Sequence, residues 1–294
     1  MTSRWAIVLC ALAACAKSPP PSTAEAPKPV AKTVAPSRSS AIMPLQCADF
    51  ACVDPGGTVF VCAISPHQTG RGVGVARTCH AAACPSVSCA DFPVLSGEVV
   101  NGDTLQYPRM AGVPVTVALA DGSTSAVAPT DADGHFWFRM PPNSQAFLHA
   151  DLPGWVQELH AVHIPPAGWD VPLDMRHFAT LANKMPADVH PDPHLGMIVV
   201  EFLGLADLQD VRAAPQPPAQ ASVVFAADWH SRQADRLQKG DRELQVLVNL
   251  PPGPVQMQFD ARPGVRCHAQ VGEIAWPAGP GILTQIDAEC APVP

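Results

Sequence analysis

Charge is scarce in this sequence. Only 15% of its 294 residues are Asp, Glu, Lys or Arg, and the net charge of −8 is relieved by no basic cluster. A nucleic-acid backbone is therefore excluded as the expected partner. Long helical periodicities are also rare. Tyrosine occurs once, at Tyr107. The sequence contains no G-x-S-x-G elbow, no H-E-x-x-H pair, no P-loop and no G-x-G-x-x-G ahead of a helix, so the common hydrolase, metallopeptidase and nucleotide-binding signatures are missing. What is abundant is apolar residues (47%), 34 Pro and 20 Gly. Short apolar runs cut by Pro and Gly predict an all-β chain of strands and turns.

The N-terminus has the layout of an export signal. Arg4 precedes an apolar run from Trp5 to Ala14 that is too short to cross a bilayer, and polar, Pro-rich sequence follows. The run ends Leu12-Ala13-Ala14-Cys15, which resembles the lipobox of bacterial lipoproteins. The resemblance implies cleavage after residue 14, lipidation of Cys15 and anchorage in membrane lipid. With Ala16 after the cysteine, it implies a bacterial outer-membrane location, facing periplasm or cell surface. Residues 15–46 then read as a disordered Pro-rich tether, which at about 3.1 Å per residue could lift a folded body several tens of Å from the lipid.

Of ten cysteines, Cys10 would leave with the signal and Cys15 would carry lipid. Eight remain: Cys47, Cys52, Cys62, Cys79, Cys84 and Cys89 in one window, then Cys267 and Cys290 near the C-terminus. An even count in an exported chain predicts disulfides, and spacing alone leaves every pairing in the first window open. The run Cys79-x4-Cys84-x4-Cys89 has zinc-like spacing, but an oxidising compartment favours the disulfide reading. Residues 47–92, bracketed by two copies of "CADF", are expected to form a small cystine-stapled module, with a hairpin turning at Gly70.

Beyond residue 93 short strands recur with turns between them. They are expected at 113–119 (VPVTVAL), 135–139 (HFWFR), 195–202 (LGMIVVEF), 221–226 (ASVVFA), 243–250 (ELQVLVNL), 255–259 (VQMQF) and 282–286 (ILTQI), with a short helix over 176–188. "FRMPPNSQAFLHA" and "VNLPPGPVQMQFDA" share a strand, a Pro-Pro turn and a second strand, with Asn143 and Gly253 placed to accept positive φ. The repeat predicts the same hairpin in two successive domains.

Ser96 to Val100, then Gly112-Val113-Pro114-Val115, then Thr130-Asp131-Ala132-Asp133-Gly134-His135-Phe136 resembles the carboxypeptidase regulatory-like, or transthyretin-like, β-sandwich family. That resemblance implies a non-enzymatic accessory module over 93–180, with 181–294 as a diverged second copy in which Cys267 and Cys290 tie the last strands. The fold expected is thus two tandem transthyretin-like or Ig-like sandwiches behind the cystine module. The intradiol ring-cleaving dioxygenases resemble the same sandwich, but their iron needs two tyrosines, and this chain has one.

Metal sites fare poorly on residue type. A calcium loop starting at Asp131 fails at His135 and at Pro142, so the two aspartates are expected to shape a turn. On a strand, His160 and His163 point to opposite faces, and His190 and His194 flank a Pro-rich linker. No catalytic residue, metal or cofactor is expected. Trp137, Trp155, Trp169, Trp229 and Trp276 could include a sugar-stacking platform or serve as strand-covering aromatics, and Trp137, Trp155 and Trp169 are the candidate ligand-contacting residues. The expected role is a non-enzymatic lipoprotein with a structural, adhesive or protein-binding task toward an envelope protein or polysaccharide. The alternative is carbohydrate binding through exposed tryptophans.

Overall fold

The computed structural model describes residues 42–69, 72–83, 91–104 and 106–293. Cys15, Cys84, Cys89, the leader and most of the tether lie outside them. The chain is all-β, as its composition predicts. The first part contains β1 (Met43–Pro44), β2 (Gln46–Ala48), β3 (Ala51–Val53), β4 (Val59–Thr69), β5 (Gly72–Ala81) and β6 (Phe92–Asn101). There follow β7 (Pro114–Leu119), β8 (Ser125–Pro129), β9 (His135–Arg139), β10 (Ser144–Ala150), β11 (Gln157–Ile164), β12 (Trp169–Asp170) and β13 (Leu173–Met175). A five-residue helix, α1 (Phe178–Ala182), precedes the rest: β14 (Gly196–Leu203), β15 (Arg212–Gln216), β16 (Ala221–Ala226), β17 (Ser231–Gln233), β18 (Asp241–Leu250), β19 (Gly253–Asp260), β20 (Val265–Ala269), β21 (Trp276–Ala278) and β22 (Ile282–Pro292). The helix covers only part of 176–188, because Pro186 cannot donate to a continuing turn.

The first sheet runs β1-β9-β6-β5-β4-β3-β2, with β12 and β13 also alongside β6. The cystine-bearing strands therefore extend the first sandwich's own sheet, through β5 on β6 from Arg77 opposite Val94 to Cys79 opposite Phe92. The second sheet runs β17-β16-β18-β14-β22-β11-β10-β7-β8. Its centre is unusual: β22 lies parallel to both β11 and β14. A third sheet, β15-β19-β21, covers one face of the later strands.

Alternation explains the layers. Leu95, Val99, Phe136 and Phe138 of the first sheet meet Val115, Val117, Leu148, Val162 and Ile164 of the second. A second core joins Ile198, Val200, Phe202 and Ile286 to Val255 and Trp276 of the third sheet. On the opposite face of β14, Met197, Val223, Val246 and Leu283 meet Val156, Leu181 and Val189, so α1 and the linker close a third layer.

The aspartate turn is built as its residue types demand. Asp131 Oδ1 accepts from the backbone N–H of Asp133 (2.9 Å) and of His135 (2.8 Å). Gly134 takes φ +79°, where a Cβ would lie 2.8 Å from that of Arg109. The Asn143 and Gly253 turns both show positive φ, at 55° and 133°. Disulfides join Cys47 to Cys52, Cys62 to Cys79 and Cys267 to Cys290. Each links directly opposed residues of adjacent antiparallel strands.

Candidate functional site

The three tryptophans singled out by sequence are all partly buried. On β9, Phe136 and Phe138 enter the first core, which turns Trp137 to the other face, against the cystine cluster. Trp169 stands opposite Leu95 and packs against the first core, as does Trp155. Trp155 also stacks on the His177 ring, with centroids 4.0 Å apart. Trp137 thus shares no face of the first sheet with the other two, and the three do not make one platform.

The exposed tryptophan among the described residues is Trp229, which remains 58% accessible. It sits at the tip of the β16–β17 hairpin, where Ala226 N–H donates to His230 O (2.8 Å) and Trp229 N–H donates to Ala226 O (2.9 Å). Its φ of +68° is a conformation that costs a bulky side chain energy. The ring is nonetheless held on two sides. The guanidinium of Arg242 lies 3.6 Å from its centroid, and Phe225 meets it edge-on at 6.2 Å. Arg242 Nη2 is itself fixed by donating to Ala227 O at 3.1 Å.

Polar groups rim the ring. Asp228 Oδ2 and His230 Nδ1 are 2.9 Å apart and solvent-facing. The Asp228 carboxyl is held below its ordinary range, first by the backbone N–H of His230 and then by its imidazole. The set offers a flat apolar surface, an acceptor, an imidazole and a nearby cation. It can stack on a sugar ring or an apolar peptide side chain while bonding hydroxyls at the edge. Spacing alone did not reveal it, yet "ADWHS" carries a usable signal: a tryptophan between Asp and His just after a strand ends belongs to a turn.

Two other titratable pairs have structural settings. Glu158 Oε1 and His160 Nε2 are 2.8 Å apart, with side chains only 3% and 4% accessible. They alternate on one face of β11 and are sealed from solutes, while His163 points out to solvent, as strand periodicity predicts. His190 and His194 are exposed on the linker. Asp103 accepts from the His177 backbone N–H (3.1 Å) and meets its Nδ1 at 2.5 Å, pinning the β6–β7 loop to the start of α1.

No protein-family description and no curated protein matches the chain. Among solved structures it is similar to the Bacillus anthracis TIE protein, at 10% identity and TM-score 0.26, over 87% of this chain and 49% of that one. It is likewise similar to a Streptococcal ancillary pilin, at 12% identity and TM-score 0.24, over 85% and 81%. A third is shaft pilin spaA from Lactobacillus rhamnosus GG, at 9% identity and TM-score 0.25, over 69% and 99%. The match spans about half the length of the TIE protein. Similarities of this size assign neither activity nor ligand.

Proposed function

We propose that this chain is a non-enzymatic bacterial lipoprotein, anchored through Cys15 in the outer membrane, whose β-sandwich body adheres to an envelope protein or polysaccharide. The anchor reading is supported by Leu12-Ala13-Ala14-Cys15 and the Pro-rich tether after it. No helix among the described residues is long and apolar enough to cross a membrane. The domain scheme that goes with this reading is a leader over 1–14, a tether over 15–46, a cystine module over 47–92 and sandwiches over 93–180 and 181–294.

The observation that carries the adhesive reading is Trp229: exposed, backbone-strained and clamped by Arg242 and Phe225. Strain kept at an exposed aromatic is a cost that contact with a partner offsets. Binding of a polysaccharide is the specific form favoured by the ring with its Asp228 and His230 rim. Trp137, Trp155 and Trp169 then contribute mainly to strand covering. Two experiments test this. Labelled palmitate should enter the wild type and not Cys15→Ala; equal incorporation removes the anchor. Glycan-array and whole-cell adhesion assays should show binding that Trp229→Ala abolishes, and unchanged binding removes Trp229 from the contact.

A further inference from the structure

An edge strand presents backbone N–H and C=O groups that another chain can pair with, and natural sheets usually guard such edges. The strands that end the three sheets here are β1, β2, β17, β8, β15 and β21. Of these, β1, β2, β17 and β21 are only two or three residues long. In β15 the outward groups are already used: Gln245 Oε1 accepts the Ala213 N–H at 2.7 Å, its Nε2 donates to Ala213 O at 3.2 Å, and Pro215 has no N–H. Strand β8, Ser125–Pro129, has no such guard. Leu119 N–H donates to Thr124 O (3.0 Å) and Thr130 N–H to Val113 O (2.9 Å). By alternation, the backbone groups of Ala126 and Ala128 therefore face β7, and those of Ser125 and Val127 face outward. Among the described residues, the outward N–H groups of Ser125 and Val127 have no hydrogen-bond partner. The side chains of Ser125, Val127 and Pro129 are exposed, while Ala126 and Ala128 pack against the first core.

Charge selects the occupant of this edge. Residues 122–130 are uncharged, but Asp121 is exposed at one end, and Asp131 and Asp133 at the other. Among the described residues, none of the three aspartates is in an ion pair. Antiparallel pairing of β8 with a second copy about Val127 would set each copy's Asp121 against the other copy's Asp133, and like charges so placed oppose it. We propose that the free edge of β8 docks an extended segment of a partner protein, uncharged at its centre and flanked at both ends by Lys or Arg. The segment adds a strand to the long sheet, exchanging backbone hydrogen bonds with Ser125 and Val127 and donating to Pro129 O. Its alternate side chains lie beside Val127 on the outer face, and its flanking cations meet Asp121 at one end and Asp131 and Asp133 at the other. This docking site depends neither on Cys15 nor on Trp229.

Edge pairing is read at the amides themselves. The intact, disulfide-bonded protein, isotope-labelled for nuclear magnetic resonance, is titrated with the capped peptide Lys-Lys-Val-Thr-Val-Thr-Val-Lys-Lys. Binding should move the Ser125 and Val127 amide signals and slow hydrogen exchange there. The same peptide with Glu in place of Lys should bind about tenfold more weakly or worse. Val127→Pro deletes an N–H that the fold does not use, at an edge position where proline is tolerated. Its melting temperature should stay near the wild-type value while affinity for the Lys-flanked peptide falls about tenfold or more. Trp229→Ala should bind that peptide as the wild type does. Should Val127→Pro fail to fold, the wild type decides, because a peptide N-methylated along its Val and Thr residues should not bind. Unmoved Ser125 and Val127 amides, full binding by Val127→Pro or of the N-methylated peptide, or equal binding of the Lys- and Glu-flanked peptides overturns the proposal. A dimer of the protein alone that Val127→Pro dissociates, with no peptide binding, assigns the edge to a second copy and overturns it too.

Discussion

Leu159 and Thr284 face one another in parallel register, although one belongs to the first sandwich and the other to the last strand of the chain. The opposite edge of Thr284 meets Ile198 of β14. Strand β22 is thus the middle of the long sheet, and the two sandwiches share it. Deleting residues 282–294 should leave β11 and β14 as bare hydrophobic edges, which aggregate readily. The truncated protein is expected to lose its near-ultraviolet circular dichroism and elute as aggregate. A truncated chain that stays monomeric with an unchanged melting temperature shows that β22 is dispensable.

Gly168 fixes the approach of the β11–β12 loop to the cystine strands. Its φ is +88°, and a Cβ there would lie 2.3 Å from the carbonyl oxygen of Arg77 and 2.8 Å from that of Val94. Both obstacles are backbone and cannot swing away. Gly168→Ala should cost about 3 kcal/mol or more in urea unfolding, combining strain and overpacking. Gly112, at φ +73° in open space, isolates the backbone part. Gly112→Ala should cost only about 1–2 kcal/mol. Equal losses at the two positions would contradict the close approach.

Trp229 offers a separation of stability from binding. Removing the ring forfeits an exposed cation–π contact of about 0.5–1 kcal/mol and an aromatic pair of about 0.5–1.5 kcal/mol. Glycine regains about 1–2 kcal/mol by accepting φ +68° without strain. Trp229→Gly should therefore unfold close to the wild type, while Trp229→Ala, which keeps most of the strain, should be about 1 kcal/mol less stable than the glycine variant. Thermal melts of the pair check this, and an alanine variant at least as stable as the glycine one defeats it.

Much of the strand pattern was legible locally, and the pairing was not. The segments 135–139 and 221–226 appear as β9 and β16 with the bounds expected, because alternation and flanking turn residues mark them. The Pro142-Asn143 turn and the Asp131 cap likewise follow from residue type. The parallel insertion of β22 leaves no trace in spacing: an apolar run such as ILTQI fits any interior position, and its neighbours are chosen by tertiary contact. Cystine pairing is hidden for the same reason, since register decides which sulfurs meet. Sequence offers Trp229 as one of five candidate stacking tryptophans but does not rank it, because exposure is a property of the hairpin's placement.

Acid sensitivity should divide into two windows. His149 is held below its ordinary value by burial, which Asp151 only partly opposes. The unfolded chain therefore takes up that proton first, and stability falls as pH drops below about 6.5 toward the folded value. Burial pulls the Asp103 carboxyl upward, but hydrogen bonds from His177 and Thr180 outweigh it and hold the group below its ordinary range. Its contribution is complete above the unfolded value of about 3.9 and is lost as pH falls through the folded one. Guanidinium unfolding across pH should show a shallower decline below about 6.5 for His149→Gln, and a shallower one below about 3.9 for Asp103→Asn. Parallel curves for variant and wild type in either window dispose of that group's part.

The Cys267–Cys290 bond closes a segment of sequence separation 23 at the end of the shared sheet. Its two residues are directly opposed on β20 and β22 and buried in the second core. In the chain-entropy account, a loop of that size restricts the unfolded ensemble by about 3 kcal/mol. The double variant Cys267→Ala with Cys290→Ala should lose about that much under oxidising conditions, together with a smaller cost for the two missing sulfurs in the core. Reduction should then bring the wild type down toward the variant, since the cross-link is the larger difference between them. Because β22 also completes the sheet beside β11, the loss should appear as one cooperative transition of the whole body, read at once by tryptophan fluorescence and far-ultraviolet circular dichroism. Two separated transitions, with only the later residues destabilised, would show instead that the sandwiches unfold independently despite their common strand.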